Sequence, residues 1–79
     1  MDLIPSERAV LNIIRMLVAE ASSRTHRVTV LRSRWPSLHS AAYDGGYGNL
    51  IRKGLIAPSA DGVHFSVTSA GLRAMAVAA

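Results

Sequence analysis

The side chains in this sequence that could do metal or acid–base chemistry are three histidines, His26, His39 and His64, and five acids. Their spacing assembles none of the usual sites. The histidines are scattered without ligand-type intervals, and no cysteine joins them to complete a metal set. No Ser, His and Asp fall into a nucleophile–base arrangement, and the acids are too few and too dispersed for a working carboxylate pair. Gly45-Gly46-Tyr47-Gly48 is rich in glycine but lacks both the Gly-Lys-Ser/Thr ending and the preceding strand of a phosphate-binding loop. Trp35 and Tyr43 read as core or hinge residues rather than base-stacking platforms. The expectation is a binding module, not an enzyme, with no metal and no cofactor.

What remains is positive charge. Nine Lys and Arg against five Asp and Glu give a net charge of +4, a balance that suits a polyanionic partner. Its distribution is more informative than its size. Arg24, Arg27, Arg32, Arg34, Arg52 and Lys53 lie in one stretch whose only acid is Asp44.

The elements that must position these charges fit one small domain over residues 1–79, since a chain of 79 residues leaves no room for a second core. A hydrophobic fraction of 49% against 18% charged residues is that of a folding chain. With no cysteine, packing alone must hold it, helped by any self-association. No apolar run approaches a membrane span and no signal-peptide layout opens the sequence, so a cytoplasmic chain away from membranes is expected.

Val10, Ile13, Ile14, Leu17, Val18 and Ala21 recur at helical spacing, which predicts a first helix over about residues 6–21 with Ser6 as N-cap and Glu7 favourably placed in the first turn. Leu11 and Met16 widen its apolar surface beyond one stripe. That width fits either a helix set deep in a three-helix core or one that meets a partner, and on the second reading Leu11 and Met16 form the dimer or partner interface. Thr29 is placed to cap a short second helix that Pro36 ends. Tyr43, Tyr47, Leu50 and Ile51 predict a third helix from residue 39 or 40 to 53, closed by Gly54 in a left-handed C-cap. Gly45, Gly46 and Gly48 weaken that helix, so either another backbone approaches closely there or the helix breaks near Asp44. Leu55–Ala57 and Val63–Val67 are strand-like runs joined by the turn Pro58 to Gly62, and Thr68 then caps a last helix carrying Leu72 and Met75. The class is mainly α (α+β), with a three-helix core, a two-stranded hairpin and a C-terminal helix.

This order is the layout of a winged helix-turn-helix. The residues Leu50-Ile51-Arg52-Lys53-Gly54-Leu55-Ile56, then Asp61-Gly62, then Phe65-Ser66-Val67-Thr68-Ser69-Ala70-Gly71-Leu72 resemble the DNA-binding domains of bacterial MarR and PadR-type regulators. The resemblance covers roughly residues 28–75 and carries more weight for fold than for function. It implies a double-stranded DNA partner, read by the start of the third helix through Ser37, His39 and Ser40, with Arg32, Arg34, Arg52 and Lys53 as phosphate clamps. It also implies a transcription regulator, of bacterial or phage type, acting as a homodimer. Two features depart from the pattern: the wing turn from Pro58 to Gly62 holds no Lys or Arg but does hold Asp61, and the third helix includes Asp44. They leave open an alternative, a winged-helix protein-interaction module such as a phage-encoded inhibitor docking on a host protein.

Overall fold

A computed structural model describes residues 3–35 and 40–78 of the chain. The elements run α1 (Pro5–Ala21), β1 (Thr25–Arg27), α2 (Val28–Ser33), α3 (Ser40–Arg52), β2 (Ile56–Pro58), β3 (His64–Val67) and α4 (Ser69–Ala78). Among the described residues this is an α+β arrangement of four helices and one antiparallel sheet of order β1-β3-β2. No described helix is long and apolar enough to cross a membrane.

The first helix starts earlier than its polar residues suggest. Ile4, not Ser6, is the N-cap, because Pro5 fills the first helical position, where a missing N–H costs nothing. Glu7 reaches back to accept a hydrogen bond from the Ile4 N–H at 3.4 Å, one half of a capping box. Val10, Leu11, Ile14 and Leu17 are all buried. The helix packs against α3, α4 and α2, and covering three neighbours takes a wider apolar surface than one stripe. Leu11, with 1% exposure, belongs to the chain's own core, and its expected place at a dimer or partner interface is corrected. Met16 is 54% exposed but stands on the other side of the helix.

The turn after α1 uses Ser22 in the left-handed region and leads into a strand that the sequence reading does not contain. Thr25-His26-Arg27 has no apolar alternation, yet it pairs with β3 in the register Thr25 to Ser66, His26 to Phe65 and Arg27 to His64. With β1 in place, Arg27 rather than Thr29 is the N-cap of α2, and the Val28 N–H is taken by the Val63 carbonyl at 2.9 Å. The sheet accordingly has three strands, not the two of the expected hairpin alone. The strand limits also move by one residue, from Leu55 to Ile56 and from Val63 to His64.

Helix α3 does not break at its glycines. A side chain at Gly46 would meet the Ser6 carbonyl oxygen at 2.8 Å and Val10 Cγ2 at 3.1 Å, so this glycine lets α3 lie against the first turns of α1. The helix ends as expected, with Gly54 at φ +74°. The Gly54 N–H donates to Ile51 and the Leu55 N–H to Leu50, both at 3.0 Å, which is the hydrogen-bond pair of a Schellman motif. Leu50 and Leu55, both fully buried, supply its apolar contact.

Thr68 caps α4, its hydroxyl oxygen accepting from the Gly71 N–H at 3.0 Å. The same hydroxyl lies 2.7 Å from the Gly54 carbonyl, and the Thr68 N–H donates to the Leu55 carbonyl at 3.1 Å. One residue thus ties the start of α4 to the segment that leaves α3. Phe65, Val67, Ile56 and Met75 close the core from the sheet and α4.

Candidate nucleic-acid interface

Among the described side chains of α3, those facing outward are Ala41, Asp44, Gly45 and Arg52, with Gly48 half-buried among them. Positions 41, 44, 45, 48 and 52 follow the helical period, so they form one stripe. It is low in relief, because three of its members are alanine or glycine. Two guanidiniums border it. Arg52 projects from the last turn, and Arg32 comes from α2 to pair with Asp44 at 3.0 Å while lying 5.2 Å from the centre of the Tyr43 ring. Eight helical positions separate Asp44 from Arg52, about 12 Å along the axis.

The four cations expected to clamp phosphates differ in what already holds them. Arg52 donates to the side-chain oxygen of Asn49, a neutral partner that leaves its charge uncompensated. Arg32 and Asp44 are 55% and 63% exposed, and an ion pair that open to water contributes little, so a phosphate can replace Asp44 at small cost. Arg34 is held more firmly: its two terminal nitrogens each donate to a Glu20 oxygen at 2.7 Å, a bidentate pair that joins the end of α2 to the end of α1. That pairing holds the Glu20 carboxyl below its ordinary range and raises the Arg34 guanidinium.

Lys53 belongs to another structure altogether. Its ammonium donates to the Glu7 carboxylate, whose side chain is only 3% exposed, and Asn49 donates to the other Glu7 oxygen at 2.9 Å. Hydrogen bonding from Lys53, opposed by burial, keeps the Glu7 carboxyl below the usual carboxylate range. A cation tied to a buried carboxylate cannot leave for a phosphate without stranding that charge. Lys53, expected as a phosphate clamp, is in the structure the cation of this buried carboxylate. Nothing in the first-turn position of Glu7 announces this role, because its partners lie at Asn49 and Lys53, far along the chain.

Of the expected base readers, Ser40 is the first residue of α3, while Ser37 and His39 lie outside the described residues. Trp35, Tyr43, Tyr47 and Phe65 form a continuous ring ladder with centroid separations of 5.8 to 6.2 Å, from the end of α2 to the sheet. These rings serve packing. Tyr43 keeps its hydroxyl buried with no hydrogen-bond partner among the described residues.

The β2–β3 loop is tied to a carboxylate. Asp61 accepts from the Ser59 hydroxyl and from the Val63 N–H at 2.9 Å, with His64 Nδ1 at 3.5 Å, and these contacts lower its pKa to about 2. The loop therefore presents a fixed negative charge at any physiological pH. Among the described residues no cluster of three His, Asp or Glu side chains could hold a metal ion. No protein family, curated protein or solved structure matches this chain.

Proposed function

We propose that the chain is a winged helix-turn-helix module that binds duplex DNA as a small transcription regulator. The observation that carries this reading is the outward stripe of α3, a low surface bordered by Arg32 and Arg52 on which a phosphodiester backbone can lie closely. The element order supports it, since α2 and α3 are followed by a hairpin whose inner strand pairs with β1. Phosphate contacts then fall to Arg52 and Arg32, with Arg34 in reserve behind its Glu20 pair and Lys53 excluded. Small residues on α3 suit close approach to base edges and thymine methyl groups.

A protein-interaction module is the second reading. The carboxylate in the β2–β3 loop favours it, because a wing that carries Asp61 repels the groove a basic wing would enter. Binding to duplex fragments from the flanks of the chain's own gene separates the two. The regulator reading expects one fragment bound about a thousandfold more tightly than random duplex. Equal affinity for all fragments would overturn it in favour of the protein partner.

A further inference from the structure

In an antiparallel sheet, residues directly opposite one another share a face. Ile56, Phe65 and Val67 take the inner face of this sheet and are buried. The outer face is left with two rows. Thr25, Ser66 and Ala57 form one. Arg27 and His64 begin the other, and Ser59 extends it, since its N–H donates to the His64 carbonyl at 2.9 Å while its hydroxyl accepts from the His64 N–H at 3.1 Å.

This face is chemically uniform. Hydroxyls line it, with Thr25 and Ser66 sharing a hydrogen bond at 2.8 Å. Arg27 is exposed and makes no ion pair or hydrogen bond through its side chain with the described residues. The rows themselves hold no carboxylate, and Asp61 stands beyond their end, near His64 at 3.5 Å. Arg24, just before β1, lies opposite Val67 and is held there, its Nε donating to the Val67 carbonyl at 2.9 Å, so among the described residues Arg27 is the guanidinium of this face. A surface of hydroxyls around an exposed guanidinium matches a sugar–phosphate backbone. It matches a duplex better than a single strand, since no Phe, Tyr or Trp stands in the rows for unpaired bases to stack on.

We propose that the outer face of the sheet is a second duplex-DNA contact, separate from α3, in which Arg27 clamps a phosphate while Thr25, Ser66 and His64 donate to neighbouring backbone oxygens. The contact reads no sequence. It adds affinity and salt dependence to whatever α3 recognises.

The test uses the intact protein and a mixed-sequence duplex of about two helical turns, by fluorescence anisotropy over a series of salt concentrations. Arg27→Glu is expected to weaken binding at least tenfold at low salt, Arg27→Lys to stay near the parent, and Arg27→Ala to make the log-log salt slope shallower by about 1. Circular dichroism checks the fold. If Arg27→Glu unfolds, the Arg27→Ala slope decides. An unchanged affinity in Arg27→Glu beside a clear loss in Arg52→Ala would overturn the sheet contact and leave the α3 reading standing. A loss in Arg27→Glu beside an unaffected Arg52→Ala would do the reverse. Tighter binding to the matching single strand than to the duplex would also overturn it, as would a parent that binds no duplex.

Discussion

Replacing Gly71 by alanine is expected to lower the melting temperature by ten degrees or more, although alanine is the better helix former by about 1 kcal/mol. Gly71 lies in the first turn of α4, directly over the chain leaving α3. A Cβ there would stand 2.1 Å from the Leu55 carbonyl oxygen and 2.8 Å from Val67 Cγ1. Neither neighbour can yield freely. The Leu55 carbonyl is fixed by the Thr68 N–H at 3.1 Å, and Val67 is buried in β3. Either α4 lifts away and loses the Thr68 cap, or the start of β2 moves and the Schellman closure opens. Overpacking costs about 1–3 kcal/mol and a lost cap about 1 kcal/mol, and each kcal/mol is about 4–8 °C for a domain of this size. Gly45→Ala is the control, because a side chain there meets nothing within 4 Å and the helix propensity gain should appear undiluted. Equal melting temperatures for Gly71→Ala and the parent would mean that α4 does not sit where the structure has it.

The second large effect is expected at Lys53. Substituting methionine keeps the aliphatic stem but leaves the Glu7 carboxylate buried without its cation, a loss of about 2–4 kcal/mol once the partial exposure of Lys53 is allowed for. The pH dependence identifies the cause. In the parent, the folded-state pKa of Glu7 lies below the unfolded value, so the pair contributes fully above about pH 4.3 and its contribution is lost as pH falls through the folded pKa. In Lys53→Met the carboxyl loses the largest of the contacts that lower it while burial still raises it, so its folded-state pKa moves up from that of the parent and acidification costs the variant less. The stability gap between the two proteins should be widest near neutral pH and shrink below about pH 4. Glu20 and Asp61 titrate alike in both proteins and cancel from the difference. A gap that is constant from pH 7 to pH 3 would assign the loss to packing rather than to charge.

Some features that depend on a few adjacent residues were legible in the sequence, although the N-caps of α1 and α2 fall on Ile4 and Arg27 rather than on Ser6 and Thr29. Gly54 closing α3 and Thr68 opening α4 rest on local backbone chemistry, and both stand where local rules put them. Strand β1 was not legible, because three polar residues carry no alternation and its partner β3 lies about forty residues away; only pairing defines it. The wide apolar surface of α1 was legible as an excess but not as a destination, and Leu11 went to the core because three helices cover α1. The basic middle of the chain was legible as charge. Which cation is held by a carboxylate depends on tertiary neighbours: Glu20 binds Arg34, and Glu7, in the first turn of α1, reaches the end of α3 to bind Lys53. The candidate interface therefore narrows from four cations to Arg52, whose partner is neutral, and Arg32, whose Asp44 pair is open to water, a distinction that residue type alone does not contain.

The most direct measurement of the functional reading is the salt dependence of duplex binding, compared between the parent and Arg52→Ala on the preferred fragment. The parent's association constant should fall linearly with salt on logarithmic axes, with a slope of about −0.9 per phosphate neutralised, and Arg52→Ala should be shallower by about 1. An association constant that does not fall with salt, or a slope that Arg52→Ala leaves unchanged, would contradict a phosphate-bound α3.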